Sequence, residues 1–512
     1  MIILSIYYQR HDGAVTVMED GEILYYSQEE NFTTIKHDNT VWCSLVEVAN
    51  KFDHFDVVFV HTMGSENDPT EKTLSAMLGV LDFTYDNLVV DKVNHHLWHA
   101  ALGYYHSGFD EALCVVIDGH GSILPEGRES GTIIYVKGTE FEYKYRRVEN
   151  IVKSERNGIQ KTWTYWSEDS TIDASPTPSS GSIYEKGTME LGWTWADAGK
   201  TMGLSQCFGY EDKVEEPYKS KIPFAYQIHK IAENEAMKLI EKAIDMSDVL
   251  FSGPGSVNVV LSGGYFLNCV SNYEFVKRWP DVNFFIEPIG YDAGVSLGQA
   301  FFYDRPKPLP NINIGHKDLF EGMEMQKIVE PEYIASILES GRPVCMFQGG
   351  VEAGPRALGN RSILYDPRIE TGRGIMNEVK GREQFRPFGA SIMEEHMGDW
   401  FDNSVVAKSP FMLYTIPVVE EKAALIPAVL HFNNTSRIQT VSLEDNEHFY
   451  RLLEAFKAKT NTPLLLNTSL NLAGKPIVRD LKQAIEVLQN SYLEFLWLPE
   501  IGRLMVIPND IS

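Results

Sequence analysis

The sequence predicts an α/β protein of two domains, the first of them internally duplicated. Three observations carry that expectation. Two strand–glycine turn–strand units recur about a hundred residues apart. Short β-branched runs alternate with helical spacing along the chain. A proline-rich segment, Arg305–Gly315 (RPKPLPNINIG), then interrupts the pattern before a second α/β stretch begins. With 512 residues and roughly 150 per domain, the expected division is residues 1–308, with halves of about 1–110 and 111–305, and residues 316–512.

The elements follow in chain order. Ile2 to Tyr8 is β-branched and aromatic, QRHDG breaks it, Ala14 to Met18 resumes it, EDG turns it, and Glu22 to Ser27 is a third strand. The unit recurs as Leu113 to Ile117, DGHG, and strands through Ile133 to Val136 and Phe141 to Tyr145. Residues 150–190, rich in Ser, Thr, Pro and Gly between Ser167 and Ser182, read as a long mobile loop or insertion. Helical spacing runs from Pro223 to Asp248. Val257 to Leu261 is a buried strand leading through SGG to a helix from Tyr265. Past the linker, Tyr333 to Glu339 reads as a helix and Pro343 to Phe347 as a strand.

Composition excludes several classes of function. Hydrophobic residues at 44% and charged residues at 23% rule out a disordered chain. Lys and Arg number 45 against 71 Asp and Glu, a formal charge of −26, so the surface is not built to grip polyphosphate backbones, and long duplex DNA is disfavoured as a partner. The local exception is segment 137–161, with Lys137, Lys144, Arg146, Arg147, Lys153, Arg156 and Lys161. Five scattered cysteines with no CxxC pair are the usage of a reduced compartment. The N-terminal apolar run is too short for a signal peptide, and no stretch reaches the roughly 18 apolar residues of a membrane span. The expectation is a cytoplasmic protein with no membrane partner; a homodimer is compatible with everything above.

Two regions carry candidate chemistry. In HHLWHA, His95 and His99 are i and i+4, so a helix projects both imidazoles from one face and His96 from another. Asp118, closing LCVVID, and Asp292, in the strand-to-helix turn PIGYDAGVSLG, are the carboxylates able to complete a ligand set. Helix capping is the structural alternative for Asp292. Two histidines with one or two aspartates suit Fe2+, Mn2+ or Zn2+ better than Mg2+. LSGGYFLN is strand, Gly-Gly, helix and presents backbone N–H groups to an anion. AGKTMGL is no P-loop, because Thr194 stands where the pattern requires glycine. The second region, Gly341 to Ala390, carries eight Lys and Arg against five Asp and Glu. Its arginines lie among glycines and prolines, as GPRALGNRS and KGREQFRPFG, which suits bidentate recognition of phosphate or carboxylate. SRIQTV (Arg437) and PLLLNTSLN add polar groups after apolar strands.

Taken in order, RHDGA, HHLWHA, VIDGHG, AGKTMGL, LSGGYFLN, YDAGVSLG, GVEAGPRALGNRSIL, VKGREQFRPFGAS, SRIQTV and PLLLNTSLN resemble the O-carbamoyltransferase family of nodulation-factor and antibiotic biosynthesis, over nearly the whole chain. The resemblance implies a duplicated actin-like (ribonuclease H-like) N-terminal domain and a C-terminal α/β domain similar to threonylcarbamoyl-adenylate synthases. It implies carbamoyl phosphate and ATP, with Mg2+, as substrates, carbamoyl-adenylate and pyrophosphate as intermediate products, and passage of the carbamoyl group to an acceptor hydroxyl. His95, His99 and Asp292 become metal ligands, with Asp118 as a fourth and Fe2+ ahead of Mn2+ or Zn2+. His11 matches the catalytic histidine. Gly119, Lys200, Gly263, Gly264 and Asn268 are the expected cofactor-binding positions of the first domain. Arg356, Arg361, Ser362, Lys380, Arg382, Arg386, Arg437, Asn467, Thr468 and Ser469 are those for carbamoyl phosphate and ATP.

The family's first turn often reads GHDG, whereas Arg10 precedes His11 here, and a cation there favours a phosphorylated acceptor. Trp163, Tyr165, Trp166, Trp193 and Trp195 concentrate aromatic surface suited to stacking on a sugar or base. The expected acceptor is therefore a small molecule or a hydroxymethylated nucleobase, as nucleotide or DNA. An actin-like metal-dependent kinase or ATPase, and a non-catalytic nucleotide-binding protein, are the competing readings.

Overall fold

The computed structural model describes residues 1–8, 11–62, 71–125, 127–149, 166–175, 179–251, 256–309, 311–320 and 328–507. Arg10, Lys153, Arg156, Lys161, Trp163 and Tyr165, singled out above, lie outside the described residues. The chain divides into two compact units. One takes in Met1–Thr201, Gln227–Leu267 and Arg278–Leu309, and the other Met202–Tyr226, Asn268–Lys277 and Pro310–Ser512.

The first unit holds two sheets of the same design. In one, β1 (Ile2–Tyr7), β2 (Ala14–Glu19) and β3 (Glu22–Gln28) form an antiparallel meander, while β4 (His54–His61) and β5 (Thr84–Asp91) add in parallel on the other side of β1. The order is β3-β2-β1-β4-β5. In the other, β6 (Glu111–Val116) occupies the place of β1. The short β7 (Ile123–Leu124) pairs with β8 (Gly127–Lys137); β8 and β9 (Glu140–Glu149) continue the antiparallel side, and β11 (Asn258–Ser262) and β12 (Asn283–Ile286) are parallel to β6. The repeated order and sense of five strands is the duplicated actin-like arrangement that the two glycine-turn units predict.

One expectation is corrected. Residues 166–175, read as loop, form β10 (Trp166–Ser175), which extends the second sheet in parallel with β9, and Ser180–Glu190 is a helix. An edge strand is held by its backbone ladder on one side, so Ser, Asp and Thr are tolerated where a central strand needs apolar residues. The helix is started by Ser179, whose hydroxyl accepts from the Ser182 N–H at 3.0 Å.

The helix His95–Ser107 shows why the histidines are buried. Every residue from His95 to Tyr104 is enclosed, because the helix packs among β6, β8 and β11 on one side and the helix Val295–Tyr303 on another. Gly298 permits that second contact: a Cβ there would stand 1.9 Å from the Trp98 carbonyl oxygen. Around the helix lies a core of Tyr7, Trp98, Cys114, Val116, Ile134 and Val260.

The second unit is built on a mixed sheet of eight strands. These are β13 (Val344–Phe347), β14 (Arg361–Tyr365), β15 (Gly389–Met393), β16 (Tyr414–Pro417), β17 (Thr435–Val441), β18 (Leu464–Ser469), β19 (Phe495–Leu498) and β20 (Arg503–Val506). Their order is β16-β17-β15-β18-β14-β13-β19-β20. Helices Pro331–Glu339 and Glu447–Thr460 seal it with Ile334, Leu338, Leu452 and Phe456 against Val344, Leu364 and Leu465. Among the described residues no helix is long and apolar enough to cross a membrane.

Candidate functional site

Open α/β sheets gather polar groups beyond the carboxyl ends of their parallel strands, and the first unit does so around the helix His95–Ser107. Tyr7 ends β1, His61 ends β4, Asp91 ends β5, and Asp118 follows β6. Asp292 opens the turn before the helix Val295–Tyr303. One ligating atom from each of His95, His99, Asp118 and Asp292 falls within 4.8 Å of the others, and all four residues are buried. His95 Nε2 stands 3.6 Å from Asp118 Oδ2 and 3.5 Å from Asp292 Oδ1; His99 Nε2 is 3.7 Å from Asp292 Oδ1 and 3.2 Å from His95 Nε2. His96 points away, as the helical spacing predicts, to Thr132 Oγ1 at 2.7 Å and buried Glu129; burial lowers its pKa to about 4.

The donors fit a divalent cation. Among the described residues neither carboxylate meets a lysine or arginine, so two buried negative charges face only imidazoles and neutral donors. Gly264 N–H bonds Asp118 Oδ1 at 3.0 Å, and a Cβ at Gly264 would press to 2.9 Å on that oxygen. Behind His95 runs an orienting chain that the sequence reading missed. Asp91 Oδ2 lies 2.5 Å from His61 Nδ1, and His61 Nε2 lies 3.3 Å from His95 Nδ1. With Asp91 accepting from His61 Nδ1–H, and His61 Nε2 accepting from His95 Nδ1–H, the free lone pair of His95 is at Nε2, facing the cluster. Trp98 Nε1–H fixes Asp91 from the other side at 2.9 Å. The available signal was a polar residue closing each of two apolar strands, VVFVH and NLVVD.

The electrostatics agree. Burial works against charge on His95, but Asp292 and Asp118 outweigh it and raise its pKa to about 10. Burial and Asp292 oppose the Asp118 charge, yet His95 and His99 prevail and lower it to about 2. Asp292 is held well below the carboxylate range against burial, by His11 and His95. A cation entering the cluster must displace the His95 proton. Its apparent affinity is therefore expected to rise about tenfold per pH unit between pH 6 and 8, with about one proton released per ion. Calorimetric titration with Mn2+ or Zn2+ in buffers of different ionisation heat checks this; a pH-independent affinity contradicts it.

His11 adjoins the cluster, its Nε2 3.7 Å from Asp292 Oδ2. Tyr7 also donates its hydroxyl to Asp292. Of the aromatic residues singled out, Trp195 lies against the His11 ring, centroids 4.7 Å apart. Trp193 instead lies near Lys200. Gly119 and Gly263 sit in the turns after β6 and β11; Gly263 has φ +101°, and a Cβ would collide with the Ile117 carbonyl oxygen at 2.3 Å. Lys200, within the helix Ala198–Ser205, is paired with Asp197 at 3.2 Å. Asn268 in the second unit caps a helix through Oδ1, accepting from Val270 and Ser271 N–H. In the segment 137–161, each described cation faces a carboxylate: Lys137 Glu111, Lys144 Glu142, Arg146 Glu129 and Arg147 Glu235.

In the second unit the predicted arginines separate into two groups. Arg356, Arg382, Arg386 and Arg437 crowd together. Burial first, then Arg437 and Arg386, lower the Arg356 pKa to about 9. Burial, Arg386 and Arg437 lower that of Arg382. Glu383 offers one carboxylate, 3.6 Å from Arg386 Nη1. Gly389 leaves room for the Arg437 guanidinium, Nε being 3.3 Å from where a Cβ would stand. Four guanidiniums drawn from separate segments therefore share one neighbourhood, each feeling the charge of another.

Arg361 does not join them. Its guanidinium donates to the carbonyls of Gln348, Asn360, Gly349, His316 and Arg479 at 2.5–3.4 Å and stacks 3.7 Å from the Phe347 ring centre. Lys380 donates to Ser469 and Asn471 oxygens, and Ser469 Oγ bonds Asn471. Ser362 Oγ accepts from Gly359 N–H at 3.0 Å. Asn467 donates to Ala357 O, Ser391 Oγ and Gln439 Oε1 at 2.9–3.2 Å, and Thr468 is buried beside it on β18. Lys380 and Ser469 thus tie down the turn after β18, while Arg361, Ser362 and Asn467 brace the loop that carries Arg356. Glu352, also unforeseen, accepts from the N–H groups of Leu358, Asn360 and Arg361 and braces the same loop.

Comparison with known proteins bears on both units. Residues 335–503 match the family described as Carbamoyltransferase C-terminus. Nodulation protein NolNO of Sinorhizobium fredii is 26% identical over 95% of this chain and 78% of its own. The 3'-hydroxymethylcephem-O-carbamoyltransferase of Amycolatopsis lactamdurans is 31% identical over 45% of this chain and 46% of its own. Among solved structures, a ROK family protein from Streptococcus pneumoniae in complex with sucrose covers 60% of this chain and 99% of its own, at 11% identity and a TM-score of 0.32. Full-length HypF in its phosphate- and nucleotide-bound form covers 59% of this chain and 55% of its own, at 14% identity and a TM-score of 0.32.

Proposed function

The chain belongs to the carbamoyltransferase family and is a transferase, and on that premise we propose that it carbamoylates a hydroxyl group, using carbamoyl phosphate and ATP. The observation that carries this reading is the buried two-histidine, two-aspartate cluster with His11 Nε2 beside it. The arginine cluster supplies the complementary requirement, a seat for polyanionic substrates in a chain of charge −26.

In the proposed sequence, water splits carbamoyl phosphate into carbamate and phosphate. A carbamate oxygen then displaces pyrophosphate from the α-phosphorus of ATP, giving carbamoyl-adenylate. Arg356, Arg382, Arg386 and Arg437 bind the phosphates and oppose the charge that gathers on the leaving pyrophosphate. In the transfer step the acceptor oxygen bonds to the carbamoyl carbon, AMP leaves, and His11 Nε2 takes the hydroxyl proton. His95, His99, Asp118 and Asp292 hold a divalent cation, Fe2+, Mn2+ or Zn2+, and when bound it supplies Lewis-acid polarisation. The acceptor is a small-molecule alcohol or a hydroxymethylated pyrimidine, as nucleotide or DNA.

The test is mass spectrometry of an acceptor panel (an aminoglycoside, a lipo-oligosaccharide, hydroxymethylpyrimidine nucleotides and DNA) incubated with ATP, Mg2+ and carbamoyl phosphate. The expected result is one carbamoylated alcohol, with pyrophosphate release that requires carbamoyl phosphate. Release of ADP without carbamoyl phosphate would make the chain a kinase. His11→Ala is expected to lower transfer by on the order of 10²–10⁴-fold and to leave carbamoyl phosphate-dependent pyrophosphate release unchanged.

A further inference from the structure

The turn that carries His11 has an unusual backbone. Asp12 and His37 both sit in the left-handed region, at φ 57° and 58°, a conformation that few non-glycine residues adopt and that surrounding contacts must hold. Here they do. Gly13 N–H donates to Asp38 O at 2.7 Å, Glu29 N–H to Gly13 O at 2.9 Å, and His37 N–H to Glu30 Oε2 at 2.7 Å. The strained pair brings one carboxylate between two imidazoles: Asp12 Oδ2 is 2.7 Å from His11 Nδ1, and Asp12 Oδ1 is 2.7 Å from His37 Nδ1.

An ionised carboxylate can only accept, so each Nδ1 carries the hydrogen that Asp12 receives. In the neutral imidazole of His11 the lone pair is then on Nε2, the nitrogen that faces the metal-ligand cluster 3.7 Å from Asp292. Asp12 is buried, and the ring of Trp195 lies over both imidazoles, with centroids 4.7 Å from His11 and 5.3 Å from His37. Water that would compete for the carboxylate is thereby kept off it.

We propose that Asp12 and His37 are positioning residues for carbamoyl transfer: Asp12 fixes His11 with its basic Nε2 toward the acceptor hydroxyl, and His37 holds Asp12 from its other oxygen. The inference rests on the reading of His11 as the base. In the step it serves, the acceptor proton moves to His11 Nε2, the oxygen–carbon bond to the carbamoyl group forms, and the bond from that carbon to the adenylate oxygen breaks with AMP leaving. Neither Asp12 nor His37 gains or loses a proton.

The experiment uses the full chain loaded with Mn2+, carbamoyl-adenylate formed in place from carbamoyl phosphate and ATP, and AMP release with 5-hydroxymethyl-2′-deoxycytidine monophosphate, an aminoglycoside, or glycerol as alcohol. Asp12→Asn keeps the size but offers one acceptor oxygen where two histidines need one each. It is expected to lower the transfer kcat by on the order of 10²-fold, with acceptor KM within about threefold and pyrophosphate release unchanged. His37→Ala is expected to lose about tenfold, His37→Asn to recover most of it through its own N–H donor, and the double variant Asp12→Asn/His37→Ala to be no slower than Asp12→Asn alone. If Asp12→Asn fails to fold, the His37 pair decides. Transfer by Asp12→Asn within twofold of wild type while His11→Ala is inactive, or no recovery with His37→Asn, overturns the inference and leaves the role of His11 standing. Unchanged transfer by His11→Ala, or no AMP release by wild type with any of the three alcohols, overturns the parent reading and this inference together.

Discussion

Asp292→Asn is expected to lower carbamoyl transfer by on the order of 10³-fold, the kinetic equivalent of about 4 kcal/mol, and to abolish the binding of a divalent ion proposed for the wild type. The reason is the number of roles one carboxylate holds. Its Oδ1 faces both His95 and His99, while its Oδ2 accepts from Tyr7 and lies beside His11. An amide keeps the shape and removes the charge, leaving Asp118 as the one carboxylate of the four-residue set. Pyrophosphate release that depends on carbamoyl phosphate serves as the control, because the proposed function assigns it to the arginine cluster, and it should stay within about twofold. Metal content by mass spectrometry and the two rates together decide the matter. An ion retained at full occupancy with transfer intact would sink the proposed ligand set. Tyr7→Phe, which removes a single hydrogen bond to the same carboxylate, should cost far less, about tenfold.

The second large contrast lies within one loop. Arg356→Met is expected to reduce carbamoyl phosphate-dependent pyrophosphate release by on the order of 10²-fold or more, without loss of stability. The sign follows from linkage. A cation whose pKa drops on folding, here to about 9, costs stability at every pH below that value, so at pH 7 its removal is neutral or stabilising. Arg361→Met should do the reverse: burial lowers the Arg361 pKa as well, to about 10, but its hydrogen bonds outweigh that cost. Its guanidinium satisfies five carbonyl oxygens, and its loss leaves several of them buried without a donor. That predicts destabilisation of about 3 kcal/mol or more, a fall in Tm of roughly 10 °C for a unit of this size. Calorimetry and a pyrophosphate assay on the two purified variants give opposite patterns if the assignment is right. Equal stability of both would show that Arg361 is not the scaffold of the loop.

The expectations that held concern patterns written over a few adjacent residues. The meander at the start of each half, the helix that projects His95 and His99 from one face, and the turns at Gly263 and Asp292 all depend on local period and turn chemistry. Polar composition misled the reading of residues 166–175. Their strand is secured by a neighbour's backbone ladder, and a ladder leaves no mark in side-chain hydrophobicity.

What the order of amino acids settled unaided was therefore the α/β class and the internal duplication, with a list of candidate residues that lacked Asp12, His37, His61, Asp91 and Glu352. Which of those residues act together came from the folded chain. Asp118 and Asp292 meet the two histidines because parallel strands from separate parts of the sequence end side by side. His61 and Asp91 stand behind His95 because β4 and β5 are neighbours. Arg356 and Arg361 are indistinguishable as letters of GPRALGNRS. They part company because one guanidinium is spent on nearby carbonyls and the other is massed with cations from β17 and the loop before β15. Burial and partner count decide whether a charge binds a ligand or braces a loop, and both are properties of distance in space.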